Sequence, residues 1–421
     1  MKYKRTKLKN GMRIVTAPMK NNQTVTVMVL VEAGSKYETF KNNGVSHFLE
    51  HMCFKGTKER SVFEITEELD GLGAESNAFT SEEYTGYYAK SHYKNVDNLI
   101  DIVSDIYLNS TLPADEIQKE RGVIIEEINM YEDMPQRIVW DLFEKLVYQD
   151  QPAGMTVLGP KENIQNMKRS DFVSYRKKHY VASGTTVVVA GNIDEKKVIA
   201  GLKKSFKNIP TTKKHTKKKT KDVQTKPELS VRYRKTDQAH LIVGCRSFDR
   251  FDKRMHALKV MATILGQGMS SRLFKIMRDE RGMCYYTRAL PVSYTDHGYF
   301  AVSAGVNKER LEEAMDVILT EMKRLTNEPV ADKELKKAKD FIIGNKALDV
   351  ESSSDYAEWF GFQELYGDKL VDLSDFNKSI QKVTAKDIHK VAQDVFTNDR
   401  LNLAVIGPFK NTKQLTKKLQ F

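Results

Sequence analysis

The apolar positions along this chain follow two periods, and the changes between them mark its elements. Thr24 to Val31 reads TVTVMVLV, alternating Thr or Met with Val as a half-buried strand does. Two short apolar runs, Thr185 to Ala190 and Leu401 to Ile406, each end at a glycine and also read as strands, as do the segments near Ala239 to Gly244 and Gly298 to Ala304. Asn10-Gly11 between extended segments predicts a hairpin. Helical periodicity takes over in Asp252 to Leu265, Glu309 to Leu325 and Asp332 to Leu348. Ser61 and Glu64 form a capping-box pattern that opens a helix over Val62 to Leu69. Pro113 marks the start of a long helix that runs past Tyr131.

Two of these segments repeat. NIQNMKRSDF at 163–172 and SIQKVTAKDI at 379–388 align with an offset of 216, which pairs Ile164 with Ile380, Gln165 with Gln381 and Asp171 with Asp387. Continued without a gap, the same offset pairs Tyr180 with Phe396, Val189 with Val405 and Gly191 with Gly407. Each copy is an amphipathic helix of about three turns followed by an apolar strand. An offset near half the chain length implies an ancient duplication. The expected class is α+β: two homologous α/β-sandwich-like domains, each a mainly antiparallel sheet covered by helices. The boundaries read as 1–212, a linker at 213–227, and 228–421.

Composition sharpens this outline. A chain of 421 residues exceeds the size at which one core stops growing, which agrees with two domains. The formal charge of +12 comes mostly from lysines spread along the chain, without stripes of Arg and aromatics, and so reads as solvation, not as nucleic-acid or membrane binding. The run KKHTKKKTKDVQTKP at 213–227 has little to bury and reads as an exposed loop or interdomain linker. The basic stretch Met1 to Lys9 is not followed by a secretory apolar run, no transit peptide is recognised, and no segment approaches the length of a membrane span. Three cysteines, Cys53, Cys245 and Cys284, are odd in number and far apart, which suits a reducing cytoplasm better than a disulfide framework.

The chemistry is concentrated in Gly44-Val45-Ser46-His47-Phe48-Leu49-Glu50-His51. On a helix, residues four apart stand one above the other, so both imidazoles can bind one Zn²⁺. Glu50 shares their face and can take a proton from water without itself binding the metal. The order His-x-x-Glu-His inverts the common zinc-protease motif. A third ligand must come from elsewhere. In the segment from Glu116 to Tyr131 the apolar stripe Ile117, Ile124, Ile128, Tyr131 carries Glu120 and Glu127 on the same side, while Glu126 points away. Buried carboxylates are costly unless paired or bound to metal, which favours Glu120 and Glu127 over Glu126; a plain charged helix rim is the alternative.

Several separated blocks together carry a resemblance: GVSHFLEHMCFKGT at 44–57, SNAFTSEEYTGYY at 76–88, ERGVIIEEINMYED at 120–133, VVVAGNID at 187–194 and SSRLFKIMRDERGMCYY at 270–286. Over nearly its whole length the chain resembles the pitrilysin and insulysin family of inverted-motif zinc peptidases, and within it the short-chain processing-peptidase branch that includes the mitochondrial processing peptidase β-subunit. The resemblance implies zinc, one per chain, on His47, His51 and Glu127, with Glu50 as general base and Glu120 as a supporting carboxylate. It implies that Asn77, Ala78 and Phe79 lie on an edge strand to which a peptide substrate adds as a further strand. Arg278 and Tyr285 match a pair that reaches the bound peptide and its oxyanion from the other domain. Cys53 and Cys284 depart slightly from the family pattern and read as small buried hydrophobes.

The implied activity is zinc-dependent cleavage of short or unfolded peptides, such as leaders and presequences, inside a closed chamber formed by paired chains. A homodimer is the first expectation and a heterodimer with a related subunit the second. Two rivals belong to other classes. A non-catalytic scaffold subunit of the same fold would lack ligands or the base, and none is missing. A nucleic-acid-binding protein would explain the lysines and would show steeply salt-dependent binding.

Overall fold

The computed structural model describes residues 3–421; the first two positions of the basic stretch Met1 to Lys9 lie outside the described residues. Eleven strands form two mixed sheets among these residues. The first contains β1 (Lys4–Lys7), β2 (Arg13–Pro18), β3 (Thr24–Val31), β4 (Glu75–Thr80), β5 (Thr85–His92) and β6 (Thr185–Gly191), in the order β1-β2-β6-β3-β5-β4. The second contains β7 (Glu228–Tyr233), β8 (Gln238–Ser247), β9 (Cys284–Ser293), β10 (Gly298–Asn307) and β11 (Leu401–Gly407), in the order β7-β11-β8-β10-β9. Each sheet is antiparallel except for one parallel pair, β2 with β6 and β7 with β11. Apart from the added β1, the two orders correspond strand for strand.

The duplication is visible at single-residue resolution. The helices Arg169–His179 and Ala385–Val395, and after them β6 and β11, have bounds 216 positions apart at both ends. The Asn10-Gly11 turn joins β1 to β2 with Gly11 at φ 94°, and Ser61 caps the helix Val62–Gly71 through the expected box.

Compact units differ from the expected sequential halves. One unit comprises the residues up to Asn129, Met155–Lys218 and Leu348–Asp372; the other comprises Met130–Gly154, Lys219–Ala347 and Leu373–Phe421. The reason lies in what covers each sheet. In the first, one face of β2, β3 and β6 buries Ile14, Val27, Val29, Val187 and Val189 against helices of the same half, such as Val45–Cys53 and Val96–Asn109. The opposite face, with Val15, Met28, Leu30 and Val188, is closed by Ala357, Phe360 and Leu365 from the helix Ser353–Tyr366, far along the chain. The second sheet likewise receives Ile138, Val139, Phe143 and Val147 of the helix Pro135–Tyr148 against Ile242, Ala404 and Ile406. Strands buried on both faces read as continuous apolar runs, as β6 and β11 do.

The stretch 213–227 forms no helix or strand and is mostly exposed, as expected, but several of its side chains are tied to the fold. Lys214 Nζ lies 2.6 Å from Glu32, and Lys217 Nζ lies 2.5 Å from the buried Glu83. Further on, the buried Gln224 donates to the Leu401 carbonyl and accepts from Asn402 Nδ2. Carboxylates distant in sequence draw these lysines in, and a local charge count could not reveal them. All three cysteines are buried free thiols, as expected for small apolar residues. No helix among the described residues is long and apolar enough to cross a membrane.

Candidate metal centre

The centre starts from the short helix Val45–Cys53. Its N-terminus is capped by a buried carboxylate: Glu38 Oε2 accepts from the Gly44 N–H and from Asn43 Nδ2, and Oε1 from the Ser46 N–H, each at 2.8 Å. Negative charge at a helix N-terminus is favourable, and without Glu38 the Gly44 and Ser46 N–H groups would lose their partner, while Asn43 Nδ2 would keep only the Thr156 carbonyl. Gly44 enters the helix at φ 99°, and a Cβ there would lie 2.6 Å from the Leu158 carbonyl oxygen, so glycine is required.

One helical turn separates His47 from His51, whose ring centroids are 4.6 Å apart. The helix Ala114–Glu132 buries Ile117, Glu120, Ile124 and Ile128, the stripe expected from the sequence except that Tyr131 is only half-buried, and brings Glu127 to the histidines. Glu127 Oε2 lies 3.6 Å from His47 Nε2 and 3.8 Å from His51 Nε2. These three residues offer ligand atoms within 4.8 Å of one another, the only such group among the described residues. Ligands held at about 2.1 Å around a tetrahedral zinc stand roughly 3.3 Å apart, so the set needs only a small contraction.

Glu120 stays outside this set. Its Oε1 lies 2.9 Å from His51 Nδ1, and its Oε2 lies 2.6 Å from Lys55 Nζ. With Nδ1–H donating to Glu120, the His51 Nε2 lone pair faces Glu127, the second-sphere arrangement that metal-binding histidines use. Burial would raise the Glu120 carboxyl, but hydrogen bonds from His51 and Lys55 outweigh it and hold it below the usual range. Burial, and then the charge of His51, push His47 down to about 3, leaving a neutral imidazole able to donate a lone pair. His51 goes the other way: burial lowers it, but the Glu120 hydrogen bond and the charges of Glu50, Glu120 and Glu127 outweigh that. The surplus of negative charge that would hold a proton there equally favours a divalent cation. The donor set therefore fits zinc.

Glu50 is buried on the same helix and does not belong to the ligand cluster. Its Oε2 accepts from Thr80 Oγ1 at 2.5 Å. Burial, opposed by Thr80 and His51, raises its carboxyl above the ordinary range, which suits a group that must take and return a proton.

Asn77, Ala78 and Phe79 lie in β4, which pairs only with β5 and so forms the open edge of the first sheet. The Ala78 N–H donates to Asn77 Oδ1, and the Phe79 ring covers Gly86, where a Cβ would come within 2.3 Å of it. Arg278 and Tyr285 belong to the second unit and are close to each other, with the guanidinium 5.0 Å from the ring centroid. Arg278 lies on a π-helical turn, Phe274–Glu280, and donates to the Cys284 carbonyl. The β9–β10 register pairs Tyr286 with Gly305 and Cys284 with Val306, so Tyr285 is the extra residue of a bulge, and it is 75% exposed. Bulges re-aim side chains in this way.

Sequence reasoning missed Glu38, Lys55 and Thr80. Lys55 and Thr80 lie inside blocks already singled out, but nothing in their spacing showed that they touch Glu120 and Glu50. Glu38 is a single acidic residue upstream of the motif and carries no local signal.

The chain is similar to proteins named as zinc proteases. The family described as Insulinase (Peptidase family M16) matches residues 13–161, which include every member of the metal cluster, and Peptidase M16 inactive domain matches residues 166–341. An uncharacterized zinc protease of Streptomyces coelicolor is 33% identical over 414 residues, covering 97% of this chain and 90% of the relative. The uncharacterized zinc protease YmxG of Bacillus subtilis is 33% identical over 408 residues, covering 97% and 99%. Among solved structures, a protease from Helicobacter pylori aligns with a TM-score of 0.91 at 25% identity, over 97% of this chain and 99% of that one. The peptidase M16 inactive domain from Pseudomonas fluorescens aligns with a TM-score of 0.89 at 17% identity over 97% and 99%, a likeness of fold.

Proposed function

This chain belongs to the insulinase family, peptidase family M16, and from that premise we propose that it is a zinc-dependent endopeptidase acting on short or unfolded peptides. The observation that carries the reading is the convergence of His47 Nε2, His51 Nε2 and Glu127 Oε2, with the Glu50 carboxylate beside them but outside the ligand set. One zinc per chain would be held by those three side chains, and when bound it supplies a Lewis acid that acidifies water and polarises a carbonyl.

The remaining work falls to the protein. Glu50 takes the proton of the attacking water and returns it to the leaving amine nitrogen. Glu120 and Lys55 keep His51 in one tautomer and orientation. Substrate adds along β4 at Asn77, Ala78 and Phe79 through main-chain hydrogen bonds, a mode that reads extended backbone and demands little of side chains. That preference suits leaders, presequences and other peptides without fixed structure. Arg278 and Tyr285 we assign as donors to the developing oxyanion; a guanidinium and an exposed phenol suit that task. We assign the working species to a homodimer whose closed chamber selects peptides by size. Light scattering of the purified chain checks the assembly: a monomer, or activity only after addition of a second subunit, would overturn it.

The central test combines metal analysis with mass spectrometry of a peptide library digested with and without a chelator. One equivalent of zinc and chelator-sensitive internal cleavage are expected. Stoichiometric zinc without any cleavage, or cleavage indifferent to chelation, would sink the proposal.

A further inference from the structure

One side chain joins the open edge of the first sheet directly to the base. Thr80 is the last residue of β4, with Thr85 of β5 as its register partner, and the turn between them closes with the Ser81 N–H on the Tyr84 carbonyl at 2.8 Å. This end of the hairpin is clamped from outside. The Lys36 N–H donates to the Glu82 carbonyl at 2.9 Å, and a Cβ on Gly34 would lie 2.2 Å from the Ser81 carbonyl oxygen, so residues 34–36 lie flush against the turn. Lys36 Nζ, itself buried, pairs at 3.0 Å with the buried Glu83 of the same turn. The other end of β4, at Glu75, Ser76 and Asn77, is exposed.

From the fixed end, Thr80 Oγ1 reaches Glu50 Oε2 at 2.5 Å. An ionised carboxylate can only accept, so the hydroxyl donates its one proton to Glu50. Glu50 Oε1 has no hydrogen-bond partner among the described residues, so the two oxygens divide the work: Oε2 is the anchor and Oε1 is left to handle a proton. A carboxylate anchored at one oxygen cannot turn about its terminal torsion without breaking a charge-assisted hydrogen bond, which is the stronger kind.

We propose that Thr80 is a positioning residue: its hydroxyl fixes the Glu50 carboxylate and ties the base to the strand that receives substrate, so that a peptide laid along β4 has its register set relative to the base. The proposal rests on the peptidase reading above. Strands advance about 3.4 Å per residue, so Asn77, Ala78 and Phe79 lie within roughly 10 Å of Thr80 along one rigid strand. Thr80 should therefore govern the rate at which a correctly bound peptide is cut and leave its binding unaffected.

The experiment compares wild type with Thr80→Val, which keeps the shape and removes the hydroxyl, and Thr80→Ser, which keeps the hydroxyl. The probe is a fluorescein-labelled unstructured peptide that the wild type cleaves. With Thr80→Val, kcat should fall about ten- to hundredfold, as expected for loss of a hydrogen bond to a charged group. KM, zinc content by elemental analysis, and peptide binding to the zinc-stripped protein by fluorescence anisotropy should stay within about twofold, since none of these requires the bond. Thr80→Ser should restore kcat to within about threefold of wild type, because it can make the same bond. A Thr80→Val enzyme with unchanged kcat, a Ser variant as impaired as the Val variant, or loss confined to KM or zinc content would each overturn the proposal. Should Thr80→Val not fold, Thr80→Ala removes the same hydroxyl and is read in the same way. A wild type that cuts no peptide takes the peptidase reading down first, an outcome distinct from failure of Thr80 alone.

Discussion

His51 Nδ1 and Glu120 Oε1 stand 2.9 Å apart, so the carboxylate that does not reach the metal position decides which nitrogen of the ring does. Removing the charge should weaken zinc binding without abolishing it. Glu120→Gln is expected to lower zinc affinity about 10- to 100-fold, the usual cost of losing such a partner. Competition against a chromogenic chelator measures this, and an unchanged affinity would separate Glu120 from the site.

Glu50 and Glu127 should be told apart by zinc content. Glu50→Gln is expected to keep its zinc while turnover falls by at least about a hundredfold, the contribution of a positioned base. Glu127→Gln should lose both, because the third ligand is gone. Elemental analysis beside a quenched-fluorescence peptide assay distinguishes the two. Normal cleavage by Glu50→Gln would remove it as the base.

The cap on the histidine helix should matter for stability. Glu38→Ala leaves the Gly44 and Ser46 N–H groups without their acceptor in a buried place, and Asn43 Nδ2 with only the Thr156 carbonyl. A loss of about 2 kcal/mol is expected from a missing cap and unsatisfied donors. Urea unfolding of the zinc-free protein, followed by circular dichroism, reads it directly; no shift of the midpoint would show that the helix does not need the cap.

His179 should make the fold sensitive to mild acid. Burial, and then the charges of His215 and Lys178, push its imidazole from the ordinary 6.5 down to about 4. The unfolded chain therefore takes up the proton first, so this contribution to stability is present above about pH 6.5 and is lost progressively as pH falls towards about 4. His179→Gln should flatten the fall of the urea midpoint across that window relative to wild type, whatever its own baseline. Parallel curves would refute the assignment.

Equivalent glycines of the repeat should differ in tolerance. Gly191 has φ 133°, and a Cβ there would lie 2.3 Å from the Thr24 carbonyl oxygen, while at Gly407 the nearest atom is the Phe409 ring at 2.5 Å. Backbone cannot yield as a ring can. Gly191→Ala is expected to cost about 3 kcal/mol or more, and Gly407→Ala closer to 1, by thermal or chemical unfolding. Equal costs would show that the ring at Gly407 is held as firmly as backbone.

Much of this protein was legible from the order of its residues. Helix and strand identities follow from periods of side-chain direction that hold within a few residues, so β3, the capping box at Ser61 and the spacing of His47 and His51 could be read locally. The repeat was legible because two copies of one element keep one spacing.

Partnership across the chain was a different matter. Glu120 and Glu127 lie on one helical stripe about 10 Å apart along its axis, and only the position of the histidine helix decides that Glu127 reaches the metal position while Glu120 turns to His51 and Lys55. The helix Pro135–Tyr148 is amphipathic by sequence whereas Ser353–Tyr366 carries apolar residues all round, and in both cases which sheet the helix covers depends on the unfilled apolar face it meets. The lysines of 213–227, the Glu38 cap and the bond from Thr80 to Glu50 likewise appear only once the chain has closed. A residue's own neighbours set the direction in which its side chain points, and packing over the whole fold sets what that side chain meets.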